Sequence, residues 1–353
     1  MAIRLHTPDG TTRPGHITVR YGMVSYRVNV RALAFSAIAL VLLLSLMVWG
    51  STLGSSDLSF GDVVRATVGR GTDDTELIVR TLRLPRILVA VLVGAALAIS
   101  GTIFQGLARN PLVSPDIIGI NGGATLAAVS VLILGIGATL VPLAAFAGAV
   151  LTAAVIYALS WKGGVSMDRL ILVGIGVGSI LSAGITYMTV KFPIEITRPA
   201  IVWSMGSIYG SQWRDVRLLA ITLAVLFPVA IILMEHMRML QFGDTVTRSL
   251  GVPLERTRLV LIVVACAFAA VAVAIVGPIG FVALIIPHMA RMILGPPTGS
   301  VLVFTALLGS IMLLASDIVA QHALPAVLPA GVVTGAVGAP YFLYLLYRSN
   351  ARS

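Results

Sequence analysis

The sequence predicts an all-α polytopic membrane protein of about ten transmembrane helices, and three observations carry that prediction. Of the 353 residues, 58% are hydrophobic and only 11% charged, a balance outside that of ordinary water-soluble domains. Mean hydropathy is +1.01. The apolar residues gather in runs of roughly 20, the length that crosses a ~30 Å hydrocarbon core as a helix. Within the runs they do not alternate with polar residues, which argues against a closed barrel, the other structure that satisfies its backbone in lipid.

Charges, glycines and prolines bound the runs and place spans at 32–50, 84–107, 117–136, 139–160, 169–190, 216–235, 258–276, 279–294, 301–319 and 331–347. Residues 1–31, with Pro8, Gly10, Pro14 and Gly15, read as a cytoplasmic N-terminal extension that is partly disordered, and 32–350 as the transmembrane domain. A cleaved signal peptide is disfavoured, because the first apolar run begins only after residue 31 and is long enough to span. The third and fourth spans are divided only by Gly135-Ile136-Gly137. The eighth is short and broken by Pro278 and Pro287. Ten spans put both termini on one side, and every short loop on that side carries Lys or Arg, so the termini are expected in the cytoplasm.

Several chemistries find no support. The net charge of +10 is scattered over loops rather than gathered on one soluble face, so no nucleic-acid partner is expected. Cys266 stands alone in an apolar run and excludes an intrachain disulfide or a cysteine metal cluster. The five histidines (His6, His16, His236, His288 and His322) are spread too widely to suggest a metal site. Neither lysine, Lys162 or Lys191, ends a phosphate-cradling glycine loop, so ATP hydrolysis by that motif is excluded and no catalytic residue or cofactor is assigned to this chain. Proton-coupled carriers usually reveal themselves by mid-span carboxylates. Here Asp116, Asp168, Glu235 and Asp317 fall at span ends, where the interface can hydrate them. His288 and Arg291 read as a helix end facing headgroups or a loop.

Two segments stand out. In the fifth span, Gly174 and Gly178 form a small-xxx-small face, with Gly176, Ser182, Ala183 and Gly184 nearby, suited to close helix packing or to lining a pathway. The connection 236–257 is longer than the others and amphipathic. Its Arg238, Asp244 and Arg248 are interleaved with apolar residues and broken by Gly243 and by Gly251 before Pro253. Short helices docking on a soluble partner, or an interfacial helix resting on headgroups, both fit that pattern.

The chain resembles the FecCD-type permeases, membrane subunits of ABC importers for iron-siderophores, haem and cobalamin. The segments that carry the resemblance are Arg83-Leu84-Pro85-Arg86, Gly94-Ala95-Ala96-Leu97-Ala98-Ile99-Ser100-Gly101, Asn110-Pro111-Leu112, Leu250-Gly251-Val252-Pro253, Gly277-Pro278-Ile279-Gly280-Phe281-Val282, Ile286-Pro287-His288 and Gly338-Ala339-Pro340. They run in family order across nearly the whole chain. The resemblance implies the type II ABC importer permease fold, ten helices per subunit and two permease subunits around a central pathway in the bacterial inner membrane. Two ATP-binding cassette ATPase subunits, which hold the ATP and Mg, would lie below, and an extracytoplasmic substrate-binding protein above. It further implies that 236–257 couples to the ATPase through Arg238, Asp244, Arg248, Gly251 and Pro253. By the same resemblance Arg83 and Arg86 meet carboxylates of the binding protein, and the loop before the fifth span is a gate.

The chain departs from the family pattern at three places. Ser316 and Asp317 are followed by Gln321 where an Arg is usual, and Val327-Leu328-Pro329 replaces Glu-Leu-Pro. The gate loop reads Ser166-Met167-Asp168-Arg169 instead of small hydroxyl residues. With a third basic position missing, a non-identical paralogue is expected as the second permease subunit in preference to a second copy. A stand-alone secondary transporter is the alternative function.

Overall fold

A computed structural model of the chain describes residues 16–21, 24–54, 59–323 and 326–350. It begins with an antiparallel hairpin, β1 (His16–Tyr21) and β2 (Val24–Asn29), in which Tyr21 faces Val24 and His16 faces Asn29. Helices follow in the order α1 (Val30–Thr52), α2 (Phe60–Thr67), α3 (Asp73–Glu76), α4 (Leu84–Ala108), α5 (Ile120–Ile133), α6 (Val141–Ser160) and α7 (Met167–Lys191). Then come α8 (Ile194–Ser204), α9 (Trp213–Leu240), α10 (Asp244–Ser249), α11 (Leu254–Val276), α12 (Val282–Leu294), α13 (Gly299–His322) and α14 (Ala330–Asn350). A π-helical segment, Leu77–Arg83, feeds α3 directly into α4.

Among the described residues, seven apolar helical segments are long enough to cross a membrane, and shorter apolar helices at Ile120–Ile133, Val282–Leu294 and Ala330–Tyr344 match the remaining expected spans. Each expected span has its helix. α4 is the axis of the packing: it is buried along almost its whole length and touches α9, α11, α12 and α13. Apolar attraction between helices is weak in lipid, so close backbone approach and interhelical hydrogen bonds must hold such a bundle. Both are present. A Cβ at Gly94 would meet the Gly309 carbonyl oxygen at 2.3 Å, and one at Gly101 would meet that of Ala283 at 1.9 Å. Ser100 Oγ donates to the Ala265 carbonyl and Ser310 Oγ to that of Val91, each at 2.7 Å.

Three differences from the sequence reading concern the connections. Within the extension expected to be partly disordered, the hairpin adds unforeseen strands, whose Ile17, Val19, Tyr21 and Val24, Tyr26, Val28 have the period-two alternation of strands; residues 1–15 lie outside the described residues. Asn29 closes it by accepting from the backbone N–H groups of Arg31 and Ala32 at the start of α1. The connections 51–83 and 191–215 contain the unforeseen helices α2, α3 and α8. Ser59 and Asp62 cap α2 reciprocally, and the hydrogen bonds from Ser59 hold the Asp62 carboxyl below its ordinary range. Finally, α9 continues to Leu240 instead of ending near 235, since Glu235 and Arg238 pair along the same helix at 3.3 Å.

Candidate functional site

Polar side chains collect at the two ends of the bundle. At one end, the start of α4 presents Arg83 and Arg86. Arg86 is not free: its Nε and Nη2 donate to the two carboxylate oxygens of Asp317 on α13 at 2.9 and 2.8 Å. Asp317 is 1% exposed, so the expectation that water hydrates it at a span end is corrected. Its second ligand is Gln321, one turn on, whose Nε2 donates to Asp317 at 2.8 Å. Tyr209 lies over the Arg86 guanidinium, 5.7 Å from ring centroid to Cζ. Arg83 Nη1 caps the Ser51 carbonyl at the end of α1 at 2.7 Å. The pair read as one binding-protein receptor thus differs within itself, with Arg86 committed to a buried internal ion pair.

The opposite end is built from the ends of α4, α7, α9 and α11 with α10 between them. Thr247, fully buried, donates its hydroxyl to the carbonyls of Met239 and Gly243 and folds α10 back on the end of α9. This leaves Phe242, Val246 and Leu250 on an exposed stripe, Phe242 at 70% exposure, with Arg248 beside it. Asp244, half-exposed, pairs with Arg258 at 2.7 Å and Arg109 at 3.7 Å. Arg238 pairs with Glu235. Gly251 has φ +78 with open space around it, so its requirement is conformational; Pro253 caps α11. The sequence reading named these apolar residues only as interleaved with charges; Phe242 precedes α10 across Gly243, at φ +100, and Leu250 follows it, so their common exposure is set by the fold of the loop.

Ser166 precedes α7 as its N-cap, Met167 is buried and Asp168 exposed. They line a cavity of about 340 Å³ with Arg109, Asp244 and Arg258. Gly174 and Gly178 face the turn that opens α5: a Cβ on Gly174 would lie 2.7 Å from the Ile118 carbonyl, and Gly119 is 3.9 Å from the Cβ position of Gly178. Their small-residue face is used for packing inside this chain. Asp116, in the same turn, accepts a hydrogen bond from Asn121. Arg291 does not face headgroups, contrary to expectation. It donates to the buried Gln105, which in turn donates to the Leu284 carbonyl at 2.8 Å and draws the guanidinium into the bundle.

Among the described residues, ten apolar helices form a polytopic membrane bundle with α4 as its packing axis, a buried ion pair at one end and the short exposed helix α10 at the other. The chain belongs to the FecCD transport family, whose model matches residues 38–348. It is 40% identical over 340 residues to the achromobactin transport system permease protein CbrC of Dickeya dadantii, covering 95% of this chain and 97% of the relative. With the ferric enterobactin transport system permease protein FepG of Escherichia coli it shares 38% identity, covering 86% and 93%. The solved structure of an inward-facing metal-chelate type ABC transporter superposes with a TM-score of 0.81 at 29% identity, covering 90% of this chain and 99% of that one.

Proposed function

We propose that this chain is the membrane-spanning permease subunit of a bacterial ABC importer in the cytoplasmic membrane, with both termini and α10 on the cytoplasmic side. The observation that carries the reading is α10. A lipid-resting helix would turn its apolar residues toward the acyl chains and its charges to water. Here Phe242, Val246, Leu250 and Arg248 are exposed together at the loop end of the bundle, with Asp244 half-exposed and paired to Arg258, a mixed apolar and charged surface that supports docking of a soluble protein. That partner is the ATPase, which holds ATP and Mg, since neither Lys162 nor Lys191 of this chain ends a phosphate-cradling glycine loop. The substrate is an iron-siderophore or a related haem- or cobalamin-type chelate, the class for which relatives named for achromobactin, enterobactin and cobalamin support the assignment.

An extracytoplasmic binding protein delivers that substrate at the Arg83 end. The second permease subunit is a paralogue of this chain: Arg86 is spent on Asp317 and Gln321 stands where a third cation would serve, so this chain alone offers a weakly basic receptor. The test is affinity purification of the tagged chain from its native membrane, followed by identification of the co-purifying proteins and of the ligand on the binding protein. An ATPase, a paralogous permease and a ferric chelate are expected. A chain recovered alone, or as a homodimer with its ATPase in full activity, would contradict the proposal.

A further inference from the structure

The cavity beside α10 is lined by a polar junction in which one side chain of α11, Arg258, reaches both α10 and the turn before α7. Val165 is 2% exposed and its backbone groups need partners. Both come from the first turn of α11: the Val165 N–H donates to Glu255 Oε2 at 3.2 Å, and its carbonyl accepts from Arg258 Nη1 at 3.2 Å. The other terminal nitrogen of Arg258 donates to Asp244, the first residue of α10, at 2.7 Å. One guanidinium therefore spans the distance between α10 and the turn from which α7 starts two residues later.

The geometry of that bridge is constrained on all sides. The Arg258 side chain is 13% exposed, which limits solvent screening of its bond to the buried Val165 carbonyl, while Asp244 keeps a half-exposed carboxylate. Its planar fork fixes the separation of the two acceptors, which a flexible ammonium on one stem does not. The turn itself is tight, with Trp161 and Val165 paired across it, and Gly164 at φ +138 approaches Glu255 so closely that a Cβ would lie 2.9 Å from Oε1. Arg109, at the end of α4, donates to the Leu240 carbonyl and anchors the start of α10 from the side.

We propose that Arg258 is the positioning residue that makes α10 and the 161–166 turn move as one body, delivering displacement of α10 to the first turn of α7. This rests on the reading of α10 as the ATPase-facing element. Displacing α10 by more than the reach of a hydrogen bond must either carry the Val165 carbonyl along or break two charge-assisted bonds. The conservative change Arg258→Lys keeps the charge and one bond but removes the bridge.

The experiment uses the complete complex in proteoliposomes and compares iron-chelate uptake per ATP hydrolysed. Arg258→Lys is expected to leave ATP hydrolysis running while uptake per ATP falls by about ten-fold or more, the size of effect expected for losing a charge-assisted hydrogen bond. Spin labels at Lys162→Cys and Thr245→Cys, with Cys266→Ala, give a second readout that needs no change at Arg258. Their separation should stay constant across nucleotide states in the otherwise unmodified complex and change in Arg258→Lys. A normal uptake ratio in Arg258→Lys, or labels that move independently in the unmodified complex, overturns the proposal. Val246→Asp separates the two levels: if it leaves ATPase association intact, the reading of α10 itself is wrong, whatever Arg258 does.

Discussion

Arg86 and Asp317, 231 residues apart in sequence, meet as a two-point ion pair that fastens α4 to α13 at one end of the bundle. With side-chain exposures of 15% and 2%, the guanidinium has little water as an alternative partner and the carboxylate almost none. Removing one partner of such a pair leaves the other uncompensated, at a cost of about 3–5 kcal/mol, whereas replacing both with apolar residues is often neutral. Asp317→Ala is therefore expected to lower the thermal midpoint in detergent strongly, and Arg86→Met combined with Asp317→Leu to lower it much less. Equal losses in the single and double variants would show that the pair does not act as a unit.

The same pair separates the roles of the two arginines. Arg83→Glu is expected to weaken association with the binding protein at low salt, with the difference shrinking as salt rises, and to leave folding largely intact. Arg86→Glu would place a second carboxylate against Asp317 and is expected to lose folded protein first. Gln321→Arg should leave docking unchanged or tighten it. Surface-immobilised binding protein titrated with the purified complex at two ionic strengths checks all three.

All ten spans and their order were legible in the sequence, because the span signal is carried by long apolar runs that tertiary contacts do not alter. Connections were less legible. α8 joins two spans through Ile194–Ser204 with Pro199 inside it, and a proline in a short polar-flanked stretch reads as a loop. Of the candidate site, Arg83, Asp244 and Ser166 were singled out from pattern and resemblance, and the structure places them at the two polar ends of the bundle. The partner of Arg86 was hidden by sequence distance, although Asp317 and Gln321 at i, i+4 lie on one helix face. Arg258 counted only as one of many loop cations, and its bridging role exists only once α10, α11 and the 161–166 turn are brought together.

Close helix approach supplies a sharper test of the packing. Gly101→Val and Gly309→Val are expected to abolish monodisperse protein, since the added carbons would overlap the Ala283 and Gly94 carbonyls. Overpacking commonly costs about 1–3 kcal/mol, and backbone, unlike a side-chain tip, has nowhere to move. Gly335→Ala on α14, with nothing within 4 Å of the new carbon, is the tolerated control. Size-exclusion profiles of the three variants decide it.

The exposed stripe of α10 is expected to contain the main contacts to the ATPase. Phe242→Asp or Val246→Asp should lower the recovery of ATPase with the tagged chain by about ten-fold or more, as loss of a buried apolar anchor does at other interfaces. Thr245→Ala, exposed but off that stripe, is expected to change recovery little. Quantified pull-downs from solubilised membranes check this.

The central claim is that this chain conducts a ferric chelate only as part of an ATP-driven complex. Uptake of radiolabelled iron-siderophore into proteoliposomes tests it most directly, with the chain, its partner permease, the ATPase and the loaded binding protein added or withheld one at a time. The expected result is uptake that requires every component and ATP, and that is indifferent to a proton or sodium gradient. Uptake driven by an ion gradient through the chain alone, without ATPase or binding protein, would contradict the account.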